Sequence, residues 1–174
     1  MRELVLGGIR SGKSRYAIDA AMNSGMKQVV FIATARAEDA EMHARIRRHR
    51  RERPVGWRTY EEPVALAQTL ESFADRDVCL LVDCMNLWLS NLMQAGEPVL
   101  REQRNELLGM LALLPGRLIL VSNEVGGSLV PINPLARRFV DELGRLNQLL
   151  ARSCDRVTLV TAGLPLRLKE GGSA

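Results

Sequence analysis

Eight residues near the start of the chain have the types and the spacing that bind the phosphates of a nucleotide. They read GGIRSGKS and fit the pattern G-x-x-x-x-G-K-[ST] at every fixed position. The pattern follows an apolar run and precedes a stretch with helical periodicity, the context that gives it meaning. The glycines let the backbone turn tightly and aim its N–H groups at phosphate oxygens, and the helix start adds the positive end of its dipole. We therefore predict a nucleoside triphosphate site formed by Gly7, Gly8, Ile9, Arg10, Ser11, Gly12, Lys13 and Ser14.

The same pattern predicts how a metal ion would accompany the nucleotide. Lys13 should bridge the β- and γ-phosphates, and the Ser14 hydroxyl should ligate Mg²⁺. A second ligand should follow a buried strand, and the apolar run that starts at Val78 ends in Asp83. We predict that Asp83 shares the Mg²⁺ with Ser14, with capping of the next helix as the alternative. Glu124 also ends an apolar run, and it either orients a water or substrate hydroxyl or acts as a cap.

Both histidines of the chain, His43 and His49, lie in one arginine-rich segment, in which six arginines occupy positions 45–53. Met42, Ile46 and His49 recur at helical spacing, which predicts that His49 continues the buried face. The surrounding positive charge lowers the pKa of an imidazole and keeps it neutral and nucleophilic, while the same arginines would hold a phosphate against it. The residues alone leave two interpretations open: a phosphate-contacting, nucleophilic histidine, or a solvated basic face.

The order of apolar and helix-period segments predicts the elements that position these residues. Strand-length apolar runs without alternation are typical of a parallel sheet that is buried on both faces. They are Glu3–Leu6, Gln28–Ala33, Val78–Val82, Arg117–Val121 and Arg156–Val160. Helical periodicity occurs in Lys13–Met22, Glu38–Arg53, Pro63–Phe73, Met85–Met93, Arg101–Leu113 and Leu135–Arg152. The alternation predicts an α/β fold of the P-loop NTPase type, with a mostly parallel sheet and helices on both faces.

The C-terminal segment and the composition complete the prediction of the architecture. Leu164–Leu168 is expected to return as a short antiparallel edge strand through the turn at Ala162 and Gly163. With 174 residues, 47% of them apolar and 25% charged, the chain suits one globular domain over residues 1–170 with a flexible tail at 171–174.

The chain also carries signals about its cellular compartment. No apolar run reaches the length of a membrane span, and the first apolar stretch is shorter than a signal-peptide core. The three cysteines, Cys79, Cys84 and Cys154, form no CxxC pair, which argues against a disulfide framework or a zinc site. We predict no membrane span and a reducing, cytoplasmic environment.

Taken together, these motifs resemble the bifunctional adenosylcobinamide kinase / adenosylcobinamide-phosphate guanylyltransferase family of cobalamin biosynthesis. The resemblance covers residues 7 to about 151 and is carried by five blocks. They read GGIRSGKSRYA, FIATA, ARIRRHRRERPVGWRTYEEP, LLVDCMNLWLSNL and SNEVGGSLVPINPLARRFVDELGRLNQLLA. The combination of the phosphate loop with RI-x-x-H-R and NEVG is far more specific than the loop alone.

The resemblance implies two reactions on one corrinoid substrate. A nucleoside triphosphate, ATP or GTP, phosphorylates the aminopropanol hydroxyl of adenosylcobinamide. GMP then passes from GTP to that phosphate through a covalent GMP-histidine, and pyrophosphate leaves. The family's histidine corresponds to His49, which the resemblance makes the guanylylated nucleophile. Its nucleotide contacts correspond to residues 7–14, Thr34, Ala35, Arg36, Arg50, Arg51, Glu52, Arg53, Glu61 and Asp83.

The resemblance also implies a homo-oligomer, a trimer, for which Trp88, Leu89 and Leu92 are apolar enough to serve either an interface or the core. Two other functions compete with the bifunctional one. A monofunctional P-loop kinase would use His49 and its arginines only as a lid over the phosphates. A triphosphate-dependent RNA-binding protein would use the arginines to track a nucleic-acid backbone, but an aromatic content of 4% supplies few stacking residues. We therefore expect no nucleic-acid partner.

Overall fold

A single seven-stranded sheet organises the computed structural model, which describes residues 1–36, 54–127 and 130–171. Its strands are β1 (Arg2–Gly7), β2 (Gln28–Ala33), β3 (Arg58–Glu61), β4 (Val78–Asp83), β5 (Arg117–Asn123), β6 (Arg156–Thr161) and β7 (Leu164–Lys169). They lie in the order β3-β2-β4-β5-β1-β6-β7. All neighbouring strands are parallel except β6 and β7, which pair antiparallel. The loops that follow the parallel strands therefore meet at one side of the sheet, here called the carboxyl edge, and the strands begin at the opposite amino edge.

Helices cover both faces of the sheet. Those described are α1 (Lys13–Met22), α2 (Leu66–Phe73), α3 (Met85–Ala95), α4 (Glu97–Leu111) and α5 (Pro134–Ser153). Successive side chains of a strand point to opposite faces, so a buried strand contributes to two cores. In β1, Val5 packs in the cluster that contains α1, whereas Leu4 and Leu6 pack in the cluster that contains α2 to α5. None of the described helices combines the length and the apolar character that a membrane crossing requires.

The architecture confirms the predicted fold class, including the antiparallel edge strand β7. The turn before it places Ala162 and Gly163 at φ 50° and 79°. Trp88, Leu89 and Leu92 are at most 2% exposed, so they belong to the core of the chain. The predicted helix 38–53 and residues 172–174 of the predicted tail lie outside the described residues.

Several predicted bounds differ from the structure by one or two residues, and three differences are larger and have a local reason. Strand β3 was missed because all its residues are exposed, so it has no apolar run. Helix α2 begins at Leu66 rather than Pro63, since the Glu62 carboxylate accepts the N–H groups of Val64 and Ala65 at 2.8 and 2.7 Å. Helix α4 begins at Glu97 rather than Arg101, directly after Gly96.

Candidate functional site

The loop between β1 and α1 wraps around the start of the helix. The Ser11 N–H donates to the Gly8 carbonyl at 3.2 Å, which closes a tight turn. Gly12 occupies the N-cap of α1 at φ 95°, and the neighbouring Ser11 hydroxyl accepts the Lys13 N–H at 3.4 Å. Because Gly12 itself has no side chain to cap the helix, the positive end of the helix dipole faces the loop, where it can attract an anion. The loop therefore has the backbone form that the sequence motif predicted.

The turn between β6 and β7 supports this loop from behind. The Gly163 N–H donates to the Ser11 carbonyl at 2.8 Å. A Cβ atom on Gly7 would lie 2.6 Å from the Val160 carbonyl oxygen, and one on Gly12 would lie 3.2 Å from the Gly163 Cα atom. The glycines at 7 and 12 are thus required by close backbone packing as well as by the turn, a contribution that the motif alone does not reveal.

Lys13 and Ser14 are half-buried at the beginning of α1. The Lys13 ammonium donates to the Gly8 carbonyl at 3.2 Å, so the side chain folds back over the loop. Ile9 is 79% exposed, and Arg10 is also exposed, with a left-handed φ of 58°. The loop thus presents an ammonium group, a hydroxyl and an arginine at the carboxyl edge.

Two carboxylates lie at the same edge. Asp83 ends β4 and is half-buried, and β4 is separated from β1 only by β5. The Glu124 N–H donates to the Gly7 carbonyl at 3.1 Å, so Glu124 is directly attached to the loop. Burial and, to a lesser extent, the charge of Asp83 raise the pKa of the Cys84 thiol, the charge of Lys13 lowers it, and the net value is about 12. Asp83 and Lys13 therefore both lie within electrostatic range of one buried thiol.

The structure also bears on the two alternative roles as helix caps. Cys84, not Asp83, occupies the N-cap position of α3. The Glu124 carboxylate accepts the Gly126 N–H at 2.7 Å, so it stabilises a turn, whereas Asn133 caps the next helix, α5. Neither carboxylate is the N-cap residue of a described helix.

The donor set suits a magnesium ion that arrives with a nucleotide. Mg²⁺ prefers one or two carboxylates together with hydroxyl, phosphate and water oxygens. Ser14 and Asp83 supply a hydroxyl and a carboxylate at the carboxyl edge, beside the half-buried Lys13. Among the described residues no three His, Cys, Asp or Glu side chains cluster to hold a metal by themselves. Phosphate oxygens would therefore have to complete the coordination.

The end of β2 is held by a buried polar network. The Thr34 hydroxyl donates to the Cys84 carbonyl at 2.7 Å and accepts the Cys84 N–H at 3.0 Å. The side-chain amide of Asn91 on α3 donates to the Thr34 carbonyl at 2.8 Å and to the Pro63 carbonyl at 3.0 Å. The Thr34 hydroxyl is thus engaged within the protein and fixes the end of β2 against the end of β4.

The other predicted contacts of this region lie nearby. Ala35 is half-buried and Arg36 is exposed, directly after the end of β2. Glu61 is the exposed last residue of β3 and pairs in register with Ala33. Residues 35, 36 and 61 therefore follow or flank β2 at the carboxyl edge.

A second buried amide holds the end of β5, and the sequence analysis missed both amides. Asn147 on α5 is 6% exposed. Its Oδ1 atom accepts the Ser122 hydroxyl at 2.7 Å, and its Nδ2 atom donates to the Asn123 carbonyl at 2.9 Å. An asparagine within an otherwise apolar helix face was the available signal, because a buried amide needs partners.

His49, Arg50, Arg51, Glu52 and Arg53, with His43, lie outside the described residues. Their predicted roles stay predictions. Within the described part of the chain, the phosphate loop, Asp83, Glu61 and Glu124 all occupy the carboxyl edge, where open α/β sheets bind their ligands.

Comparison with known proteins shows similarity to one family over nearly the whole chain. Residues 3–168 match the family model described as cobinamide kinase / cobinamide phosphate guanyltransferase. The bifunctional adenosylcobalamin biosynthesis protein CobP of Pseudomonas aeruginosa is 55% identical over 170 residues, covering 97% of this chain and 98% of the relative. The corresponding CobU protein of Escherichia coli K12 is 36% identical, covering 97% of this chain and all of the relative.

Solved structures are similar in fold at low sequence identity. A Pyrococcus horikoshii OT3 protein, PH0250, superposes with a TM-score of 0.55 at 11% identity, covering 99% of this chain and 87% of that one. The type III secretion ATPase EscN of enteropathogenic E. coli gives a TM-score of 0.55 at 14% identity, covering 92% of this chain and 43% of EscN. These likenesses support the P-loop ATPase type of fold.

Proposed function

Since this chain belongs to the cobinamide kinase / cobinamide phosphate guanyltransferase family, we propose that one phosphate loop serves both of its reactions. The kinase reaction and the guanylyltransferase reaction both start from a nucleoside triphosphate. The observation that carries the proposal is the start of α1 at the glycine N-cap, Gly12, with the Lys13 ammonium folded over the loop. A single anion site of this kind suits ATP or GTP in the first reaction and GTP in the second.

In the kinase reaction, the aminopropanol hydroxyl of adenosylcobinamide attacks the γ-phosphorus, its proton is lost to solvent, and the nucleoside diphosphate leaves. The backbone N–H groups at the start of α1 and the Lys13 ammonium neutralise charge on the transferring phosphoryl group. Glu124 would orient the substrate hydroxyl, and its backbone N–H bond to Gly7 supports this role. Mg²⁺, when bound by Ser14 and Asp83, would neutralise the phosphate oxygens. Arg36 and Glu61 flank β2 at the same edge and would contact the nucleotide.

In the transferase reaction, a neutral His49 imidazole attacks the α-phosphorus of GTP, and a phosphoramidate bond forms as pyrophosphate leaves. The imidazole proton is lost to solvent. A phosphate oxygen of adenosylcobinamide phosphate then attacks the GMP phosphorus and releases the histidine. Arg50, Arg51 and Arg53 would hold the anionic groups while this occurs, with Glu52 also contacting the nucleotide. The family resemblance and the six arginines at 45–53 support this assignment.

Labelling the protein with GTP tests the histidine assignment. After incubation with α-labelled GTP and denaturation, we expect an acid-labile, base-stable label on the peptide that contains His49. H49N should abolish the label and the transferase activity while sparing the kinase activity. H43N, which changes the other histidine of the segment, is the matched control and should retain the label. Label that survives H49N would contradict the assignment, and loss of both activities would indicate a structural role.

Two aspartates at opposite ends of β4 test the metal assignment. Asp83 ends β4, whereas Asp77 precedes its first residue and pairs with Lys27 at the surface. We expect D83N to raise the Mg²⁺ concentration needed for half-maximal kinase activity, and D77N to leave it unchanged. Equal behaviour of the two variants would remove Asp83 from the metal site.

We further propose that the chain forms a homo-oligomer, a trimer as in the family it resembles. Strand β7 lies at an edge of the sheet and leaves Leu164, Leu166 and Leu168 between 56% and 70% exposed. Light scattering would give the oligomer mass, and a monomer at working concentration would refute this proposal.

We also propose a cytoplasmic location. Three free, buried thiols, Cys79, Cys84 and Cys154, support a reducing and hence cytoplasmic setting.

A further inference from the structure

A cavity of about 330 Å³ lies at the amino edge of the sheet, below α1. It is lined by Tyr16, Asp19, Ala20, Asn23, Arg117 and Arg156. Arg117 and Arg156 are the first residues of β5 and β6. The phosphate loop follows the last residue of β1, at the opposite ends of these strands. This space, here called the α1 cavity, is therefore separate from the proposed nucleotide site.

One buried carboxylate faces both arginines of the α1 cavity. Glu3 on β1 is fully buried and pairs in register with Arg156. Its carboxylate lies 3.2 Å from a terminal nitrogen of Arg117 and 3.9 Å from a terminal nitrogen of Arg156. The hydroxyls of Tyr16 and Thr158 also donate to it, at 3.1 and 3.0 Å. A single buried carboxylate thus pairs with two guanidinium groups.

The hydrogen-bonding capacity of the two arginines is also incompletely used. A guanidinium carries five N–H donors. The Nε atoms of Arg117 and Arg156 are buried without a partner among the described residues, so the terminal nitrogens are the donors that a ligand in the cavity could reach. Arg156 keeps 31% of its side chain exposed and makes the longer contact to Glu3, so it is the more available of the two. The acid of the lining, Asp19, is exposed on α1, where water screens its charge.

From this geometry we propose that the α1 cavity binds a small organic oxyanion, a carboxylate or a phosphate ester, through Arg156 and Arg117. Guanidinium groups match the paired oxygens of both anions and form charge-assisted hydrogen bonds with them. The volume lies at the lower end of the range for small-molecule sites, which suits a ligand of the size of a small organic acid or sugar phosphate. The site is independent of the proposed reaction, because it lies at the other edge of the sheet.

Calorimetric titration with inorganic phosphate and, separately, with citrate tests the proposal. The phosphate loop is first filled with the Mg²⁺ complex of a GTP analogue whose α and β phosphorus atoms are joined by methylene, which prevents guanylyl transfer. We expect saturable binding of at least one of the two anions. A response to citrate alone identifies a carboxylate site, and a response to phosphate alone identifies a phosphate site. Absence of saturable binding of both would overturn the proposal.

Two variants and a control locate the binding. R156Q should weaken it by roughly tenfold or more, the usual effect of losing a charged hydrogen-bond partner. R76Q changes an exposed arginine that precedes β4 at the same edge but does not line the cavity, and it should leave the affinity unchanged. A20L fills the cavity without changing a charge and should also weaken binding, so the test does not depend on R156Q folding. Equal effects of R156Q and R76Q, or unchanged affinity in A20L, would contradict the assignment.

Discussion

The two edges of the sheet hold their polar groups in opposite ways. At the carboxyl edge, neutral side-chain amides of Asn91 and Asn147 donate to the backbone carbonyls of Thr34 and Asn123. At the amino edge, the buried carboxylate of Glu3 is held by guanidinium and hydroxyl groups. One edge is fixed by neutral hydrogen bonds and the other by buried charge.

This difference follows from what each edge must do. A site that binds a triphosphate needs its positive charge and its free N–H groups for the ligand, and neutral amides orient the strand ends without competing for them. The amino edge has no such demand in the proposed reaction, so charges can be paired there within the protein. Helix α1 connects the two edges, since Lys13 lies over the phosphate loop and Tyr16 bonds to Glu3.

Glu3→Ala should cause the largest loss of stability, because it removes the carboxylate that pairs with Arg117 and Arg156. Breaking a buried ion pair leaves uncompensated charge and costs about 3–5 kcal/mol of unfolding free energy. Glu97→Ala is the matched control, since Glu97 pairs with Arg138 at the surface with about half of each side chain exposed. That pair should contribute at most about 1 kcal/mol. Urea unfolding of both variants measures the difference, and equal losses would contradict the contrast between a buried and a surface carboxylate.

Lys13→Ala should give the next effect, on activity at the carboxyl edge. Loss of one group that stabilises developing charge lowers kcat by on the order of 10²–10³-fold, and both reactions should suffer since both use the triphosphate. Lys27→Ala is the matched lysine of the amino edge. It pairs with Asp77 at the surface at 2.5 Å, and its removal should leave both activities unchanged. Steady-state assays of each reaction decide this, and loss of only one activity would mean that the reactions use different sites.

Much of the fold could be predicted because five strands, β1, β2, β4, β5 and β6, are short, apolar and mostly buried. The prediction for the first strand, Glu3–Leu6, falls one residue short of β1 at each end. Strand β3 could not be predicted from apolar runs. Its sequence RTYE is exposed throughout, and its place is fixed by pairing with β2 and by the stacking of Tyr60 on Phe73, whose ring centroids are 4.0 Å apart. Such tertiary contacts leave no periodic signal in a single sequence.

The candidate site was predictable where chemistry depends on local spacing. The phosphate loop is contiguous, and Asp83 directly follows an apolar run, so both could be identified from the sequence. The partners of Asn91 and Asn147 could not, because they are backbone carbonyls of residues 24 to 57 positions away, even where an apolar helix face marks the asparagine as buried. The Thr34 hydroxyl shows the same limit, since its bonds to Cys84 span 50 positions.

Asn91→Ala should cause a smaller loss of stability, and it tests the neutral hydrogen bonds of the carboxyl edge. It leaves the Thr34 and Pro63 carbonyls without the amide, which costs about 1–3 kcal/mol for unsatisfied buried groups. Asn105→Ala, on the exposed surface of α4, is the control and should change stability little. Chemical unfolding gives the stability, and a kinase assay below the unfolding transition should show reduced activity for Asn91→Ala alone. Unchanged stability would remove this amide from the support of the carboxyl edge.

The last effect is on the pH dependence of stability, and it arises from two thiols near opposite ends of β4. Burial raises the pKa of Cys79 from 9.0 to about 11, with Arg117 opposing the shift, and that of Cys84 to about 12, with Asp83 adding to it. Below pH 9 both thiols are protonated in the folded and unfolded chain, so neither affects stability. Above pH 9 the unfolded chain loses these protons first, and each thiol should reduce stability by about 1.4 kcal/mol per pH unit.

The loss due to Cys79 should level off near pH 11, whereas that due to Cys84 should continue toward pH 12. Urea unfolding of the wild type, Cys79→Ala and Cys84→Ala between pH 8 and 11 measures the slopes. Both variants should lose stability less steeply than the wild type, because each lacks one titrating thiol. If Cys84→Ala lost stability with rising pH as steeply as the wild type, the Cys84 thiol of the wild type would have to ionise as readily in the folded chain as in the unfolded one. In that case, water would have to reach the carboxyl edge behind Asp83, and the neutral network around Thr34 would not be closed.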